Sequence, residues 1–68
     1  MKLNNKGVKV AMARKQLSVK ELAELYGCSL NRIHVILNSA HVNAKTAGKL
    51  AAALGCDVLD IIENEEEG

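Results

Sequence analysis

The side chains best suited to recognition chemistry crowd into one stretch: Asn31, Arg32, His34, Asn38, Ser39, His41 and Lys45. Amides and hydroxyls both donate and accept hydrogen bonds, and the cations pair with anionic oxygens. Catalysis needs another constellation. Ser18 and Ser29 stand where helix caps belong, and no Ser or Cys is matched by a His and a carboxylate at workable positions. No Gly-rich loop could cradle a phosphate, and 68 residues leave little room for an ordinary substrate pocket. An enzyme is not expected. Cys28, His34, His41 and Cys56 offer four zinc ligands on paper, but their spacing matches no common ligand pattern. Two reduced thiols behaving as small hydrophobes are expected instead, with no metal and no cofactor.

Helices must position these groups. Nearly half the residues are hydrophobic, yet Phe, Trp and Pro are absent and Tyr26 is the one aromatic residue. The core must therefore come from Leu, Ile, Val, Ala and Met, and sheet is hard to place. Asn4 and Asn5 can cap a first helix from about Lys6 to Gln16, with Val8, Val10, Ala11 and Met12 as its apolar content. Ser18 followed by Glu21 is a capping box, which starts a second helix from Val19 to about Tyr26. That helix should bury Leu22, Ala23 and either Leu25 or Tyr26.

Gly27 ends the second helix, and Ser29 caps a third only two residues later. On it Ile33, Ile36 and Leu37 form the core side. Asn31, His34, Val35 and Asn38 recur at i, i+3, i+4 and i+7 and share a different face. After a polar loop, Asn43 can cap a fourth helix, Ala44 to Leu54, whose small residues admit close neighbours. Gly55 closes it, and Asp57 caps a fifth, Val58 to about Glu63, with Leu59, Ile61 and Ile62 for burial. The expected fold is all-α with five helices over residues 1–62, followed by an acidic tail, 63–68, expected to be disordered.

The formal net charge of +1 conceals an asymmetry. Residues 1–62 carry nine Lys and Arg against Glu21, Glu24, Asp57 and Asp60, which leaves +5, and the other four acids crowd the tail. A basic body suits a polyanionic partner. No secretory segment is evident, and the longest apolar run, Leu50 to Gly55, is too short to span a bilayer. A cytoplasmic location and no membrane partner are expected.

Two runs carry a family resemblance. L-S-V-K-E-L-A-E-L-Y-G-C-S-L-N-R-I-H-V-I-L-N, Leu17 to Asn38, resembles the helix-turn-helix of the lambda-repressor-like (XRE, Cro-type) family. K-L-A-A-A-L-G-C-D-V-L-D-I-I, Lys49 to Ile62, resembles its closing pair of helices, so the likeness covers roughly residues 6 to 62. The resemblance implies a sequence-specific reader of double-stranded DNA, a bacterial or phage transcriptional regulator acting as a repressor. It implies a homodimer on a palindromic operator, with room for a regulatory protein partner. In that family Ala23 must be small where the two helices touch, Gly27 supplies the bend, and Ile33 and Ile36 anchor the helix that enters the major groove.

Carried over position by position, the resemblance makes Leu30, Asn31 and Val35 base readers, with Arg32 and His34 beside them. It makes Ser29, Val19, Lys20, Asn38, Ser39, His41 and Lys45 contacts to the sugar-phosphate backbone. Gly55, Cys56, Val58, Leu59 and Ile62 become the dimer interface. An Asn at position 31 can bond adenine bidentately, and Leu30 and Val35 can pack against thymine methyl groups. Arg32, one step off the reading stripe, suits a phosphate. Lys6, Lys9, Arg14 and Lys15 are expected on the outer side of the first helix, adding only a diffuse field.

Three departures stand out. Val19 sits where the family often has Gln, and Leu30 and Val35 replace residues that are commonly Arg, Gln or Ser. Met12 and Leu37 occupy places where many members bury an Arg–Glu pair; losing both charges together strands neither. The apolar Val19, Leu30 and Val35 keep a second reading open, a protein-interaction module on the same fold, antirepressor or antitoxin-like.

Overall fold

The computed structural model describes residues 1–39 and 41–63. Four α-helices follow one another: α1 (Asn5–Lys15), α2 (Val19–Tyr26), α3 (Leu30–Asn38) and α4 (Ala44–Leu54). A single 3₁₀ turn, Val58–Asp60, closes the order. The fold is all-helical as expected, but the fifth helix is only this turn.

Each α-helix begins on a local side-chain cap. Asn4 Oδ1 accepts from Gly7 N–H at 3.2 Å, and Asn43 Oδ1 accepts from Thr46 N–H at 2.7 Å. Ser18 Oγ accepts from Glu21 N–H at 3.1 Å while Ser18 N–H donates to Glu21 Oε1 at 2.8 Å. Those bonds satisfy donors that a helix start otherwise leaves unpaired. The Ser18 N–H holds the exposed Glu21 carboxyl below its usual range, with the Ser18 hydroxyl assisting.

The core is built on α4. Ala47, Leu50, Ala51 and Leu54 are its buried stripe, and around them pack Leu22 and Ala23 of α2, Ile33 and Ile36 of α3, and Val8 and Ala11 of α1. Leu22, Ile33, Leu50, Leu54 and Ile61 are shut off from solvent. Of the two alternatives on α2, Leu25 is 58% exposed, whereas Tyr26 is half-buried with the Lys49 ammonium 4.6 Å from its ring centroid. The tyrosine is the better choice because its edge stays wet while the ring covers apolar surface. All buried side chains among the described residues are hydrophobic.

The chain's start supplies a feature the helical patterning did not contain. Residues 1–4 run extended between two other segments, through bridges Lys2–His41 and Leu3–Ile62. Val42 N–H donates to Met1 O at 2.7 Å, Asn4 N–H to Ile61 O at 2.7 Å, and Glu63 N–H to Lys2 O at 2.8 Å. Lys2 and Glu63 also form an exposed ion pair at 3.5 Å. This pairing explains the missing fifth helix: the chain leaves the turn at Ile61 so that Ile61 O and Glu63 N–H bond to Asn4 and Lys2, and the side chains of Leu3 and Ile61 are thereby buried. Beyond Glu63 the expected acidic tail lies outside the described residues.

The last turn also meets α1 closely. Gly7 faces the Asp60 carbonyl, and a Cβ at position 7 would run into that oxygen, with Asp60 C at 3.1 Å and Ile61 Cα at 3.3 Å. A residue without a side chain is needed here for space, not for conformation.

Candidate nucleic-acid interface

The α2–α3 unit is bent by Gly27, whose φ of 93° and ψ of 35° lie in the left-handed region. Gly27 N–H and Cys28 N–H both donate to Ala23 O, at 2.8 and 3.0 Å. Two residues later Ser29 Oγ accepts from Arg32 N–H at 3.1 Å and starts α3. The short connection leaves α3 seated through Ile33 and Ile36, both buried.

That anchoring, with Leu37 half-buried beside it, turns the other side of α3 outward. Asn31, Arg32, His34 and Asn38 are exposed, and so are the apolar Leu30 (44%) and Val35 (56%). All five expected base-reading residues thus share the solvent side of one short helix. At its end, Ser39 is half-buried and its hydroxyl donates to Val35 O at 2.8 Å, which occupies its proton. Lys20, His41 and Lys45 are exposed, on α2, the following loop and α4 respectively. Val19 is half-buried too, and it alone of the expected backbone contacts packs against the hydrophobic core.

Free backbone donors complete this surface. Capping uses Glu21 N–H and Arg32 N–H, while Val19, Lys20, Leu30 and Asn31 N–H have no partner among the described residues. N–H groups without an intrachain partner at two helix starts, with the dipoles behind them, favour anionic oxygens.

A groove of about 340 Å³ opens between α1 and the α2–α3 unit. Its apolar floor is Val8, Met12, Val19 and Leu37, and its exposed polar rim is Asn5, Lys9, His34 and Asn38. Met12 and Leu37 therefore meet the same space as neutral residues. Asn5 and Lys9 were not among the expected interface residues. Their signal was present as helical spacing, since Asn5, Lys9 and Met12 fall at i, i+4 and i+7 on α1.

The residues expected at a dimer interface are unequally available. Leu59 is 72% exposed, whereas Cys56, Val58 and Ile62 are half-buried against the core. Gly55 caps α4 with φ 70°, and a Cβ there would meet the end of the Lys15 side chain. Burial, with Asp60 nearby, raises the Cys56 thiol's pKa and so keeps it protonated.

Among the described residues no three His, Cys, Asp or Glu gather as a metal site requires, and no helix is long and apolar enough to cross a membrane. No curated protein and no solved structure matches the chain significantly. A family profile does: that of the Cro/C1-type HTH DNA-binding domain, over residues 8–67. This span takes in α2 and α3 with their Gly27 bend, together with α4 and the closing turn. The chain belongs to the Cro/C1-type helix-turn-helix DNA-binding domain family.

Proposed function

We propose that this DNA-binding domain is a transcriptional repressor that recognises a palindromic operator as a homodimer, each copy laying α3 in the major groove. One observation carries the reading: α3 buries Ile33 and Ile36 and keeps Leu30, Asn31, Arg32, His34 and Val35 exposed on one capped helix. In this assignment Asn31 bonds an adenine edge, and Leu30 and Val35 contact thymine methyl groups. Arg32 and His34 reach phosphates or neighbouring bases. The backbone is held by Ser29, Lys20, Asn38, His41 and Lys45, with smaller parts for Val19 and Ser39. Repression is steric, because the bound dimer excludes polymerase.

A dimer is required because one helix of nine residues reads only a few base pairs. Two copies spaced by one turn of DNA, roughly 34 Å, supply the affinity that one lacks. The exposed Leu59, flanked by Val58 and Ile62, is the apolar surface assigned to this contact, with Gly55 and Cys56 at its edge.

A second reading draws on the exposure of Leu30 and Val35. Two apolar side chains on the reading face also suit a protein groove, as in an antirepressor or antitoxin-like module. Selection from a randomised duplex library followed by a salt titration separates the two. A palindromic winner, with affinity falling at about 0.9 log units per log unit of salt for each neutralised phosphate, is expected. No enrichment by folded protein would reject the repressor and move the search to protein partners.

A further inference from the structure

We infer that the groove between α1 and the α2–α3 unit seats the DNA sugar-phosphate backbone, with Lys9 as a phosphate contact supplied by the first helix. This rests on the DNA-binding reading above and adds a residue and a surface to it. Lys9 shares the rim with His34 and Asn38, which α3 presents beside its reading face. Asn5, one turn earlier on α1, adds an amide on the same side.

Charge selects the occupant. No acidic side chain lines this groove. A second cavity beside α1, about 240 Å³, is lined by Lys6 and Arg14 but also by the acid Asp60, which disfavours an anion there. Two lysines three residues apart on α1 thus open onto different surroundings. The lysine on the acid-free rim is the one suited to a phosphate, because no carboxylate shares its groove to repel the anion. The apolar floor, Val19 at the start of α2 included, lets a deoxyribose pack while the rim bonds the phosphate oxygens.

The contact is to phosphate, so a random-sequence duplex is a sufficient probe. Salt titrations would compare the intact chain with Lys9→Ala and Lys6→Ala. Both lysines are exposed, so neither change should lower the melting temperature appreciably. Lys9→Ala should weaken binding several-fold at low salt and make the log–log slope less steep by about 0.9, while Lys6→Ala keeps the parent slope. Equal effects of the two substitutions, whether both nil or both reduced, would overturn the Lys9 contact and return it to the diffuse field. An intact chain that binds with no salt dependence would instead overturn the DNA-binding reading on which the contact depends.

Discussion

Replacing Gly7 and Gly48 separately by Ala makes the same chemical change in two helices, with opposite expected signs. Gly48 lies inside α4, and a Cβ there meets nothing within 4 Å. The substitution should recover the helix-propensity deficit of glycine, about 0.8–1 kcal/mol. In a domain this small, about 1 kcal/mol raises the melting temperature by roughly 4–8 °C. At Gly7 the added carbon would overlap the Asp60 carbonyl oxygen and press on Asp60 C and Ile61 Cα. These are backbone atoms, so no rotamer change relieves them, and Ile61 is itself fully buried. Either α1 or the closing turn must move, at the usual overpacking cost of about 1–3 kcal/mol or more. The propensity gain offsets only part of this, because Gly7 stands in the first turn of α1. A net loss of about 1–2 kcal/mol is expected, a large share of the few kcal/mol available to a core of this size. Urea and thermal unfolding followed by far-UV circular dichroism would measure both variants. If Gly7→Ala stabilises as Gly48→Ala does, the closing turn is not seated on α1 and the account of the fold's end is wrong.

Four further outcomes are expected. Asn31→Ala should cost about 1–3 kcal/mol at one operator position and relax preference there, as measured by binding to a panel of single-base operator variants; uniform weakening would remove Asn31 as a reader. Lys45→Ala should weaken all sequences alike and flatten the salt slope by about 0.9, and an unchanged slope would take Lys45 out of the interface. Leu3→Ala should cost about 2–5 kcal/mol despite its place near the chain's start, because Leu3 is buried in the main core; a loss below about 0.5 kcal/mol in urea unfolding would mean that residues 1–4 are not docked. The Glu21 carboxyl is lowered in the folded chain, so its contribution is present above the unfolded carboxylate pKa and disappears as pH falls through the folded value. Ser18→Ala should cost about 1 kcal/mol at neutral pH, and Glu21→Gln, which removes the titrating group bonded to the Ser18 N–H, should abolish that acid-side loss; an unaltered pH profile of the melting temperature in Glu21→Gln would show that the capping box is not its source.

The four α-helices and their approximate limits were legible in the sequence because the signals that set them are local. Ser18 with Glu21, Ser29 with Arg32 and Asn43 with Thr46 act across three residues, and Gly27 and Gly55 act through their own backbone angles. The α3 face could be read the same way, since Ile33 and Ile36 inward force Asn31, His34, Val35 and Asn38 outward. Pairing of residues 1–4 with His41–Val42 and Ile61–Glu63 was not legible, because backbone hydrogen bonds between distant segments leave no periodicity. That pairing is what shortened the fifth helix to one turn. Tertiary packing also chose Tyr26 over Leu25 for burial and set Lys9 on the groove with His34 and Asn38 while leaving Lys6 on a cavity that Asp60 also lines. Periodicity ranks the faces of one helix, but which neighbour each face meets depends on how the helices cross. The four α-helices, their caps and the reading helix follow from local signals along the chain, whereas the end of the fold and the surroundings of each charged side chain follow from packing, because they depend on segments brought together from far along the chain.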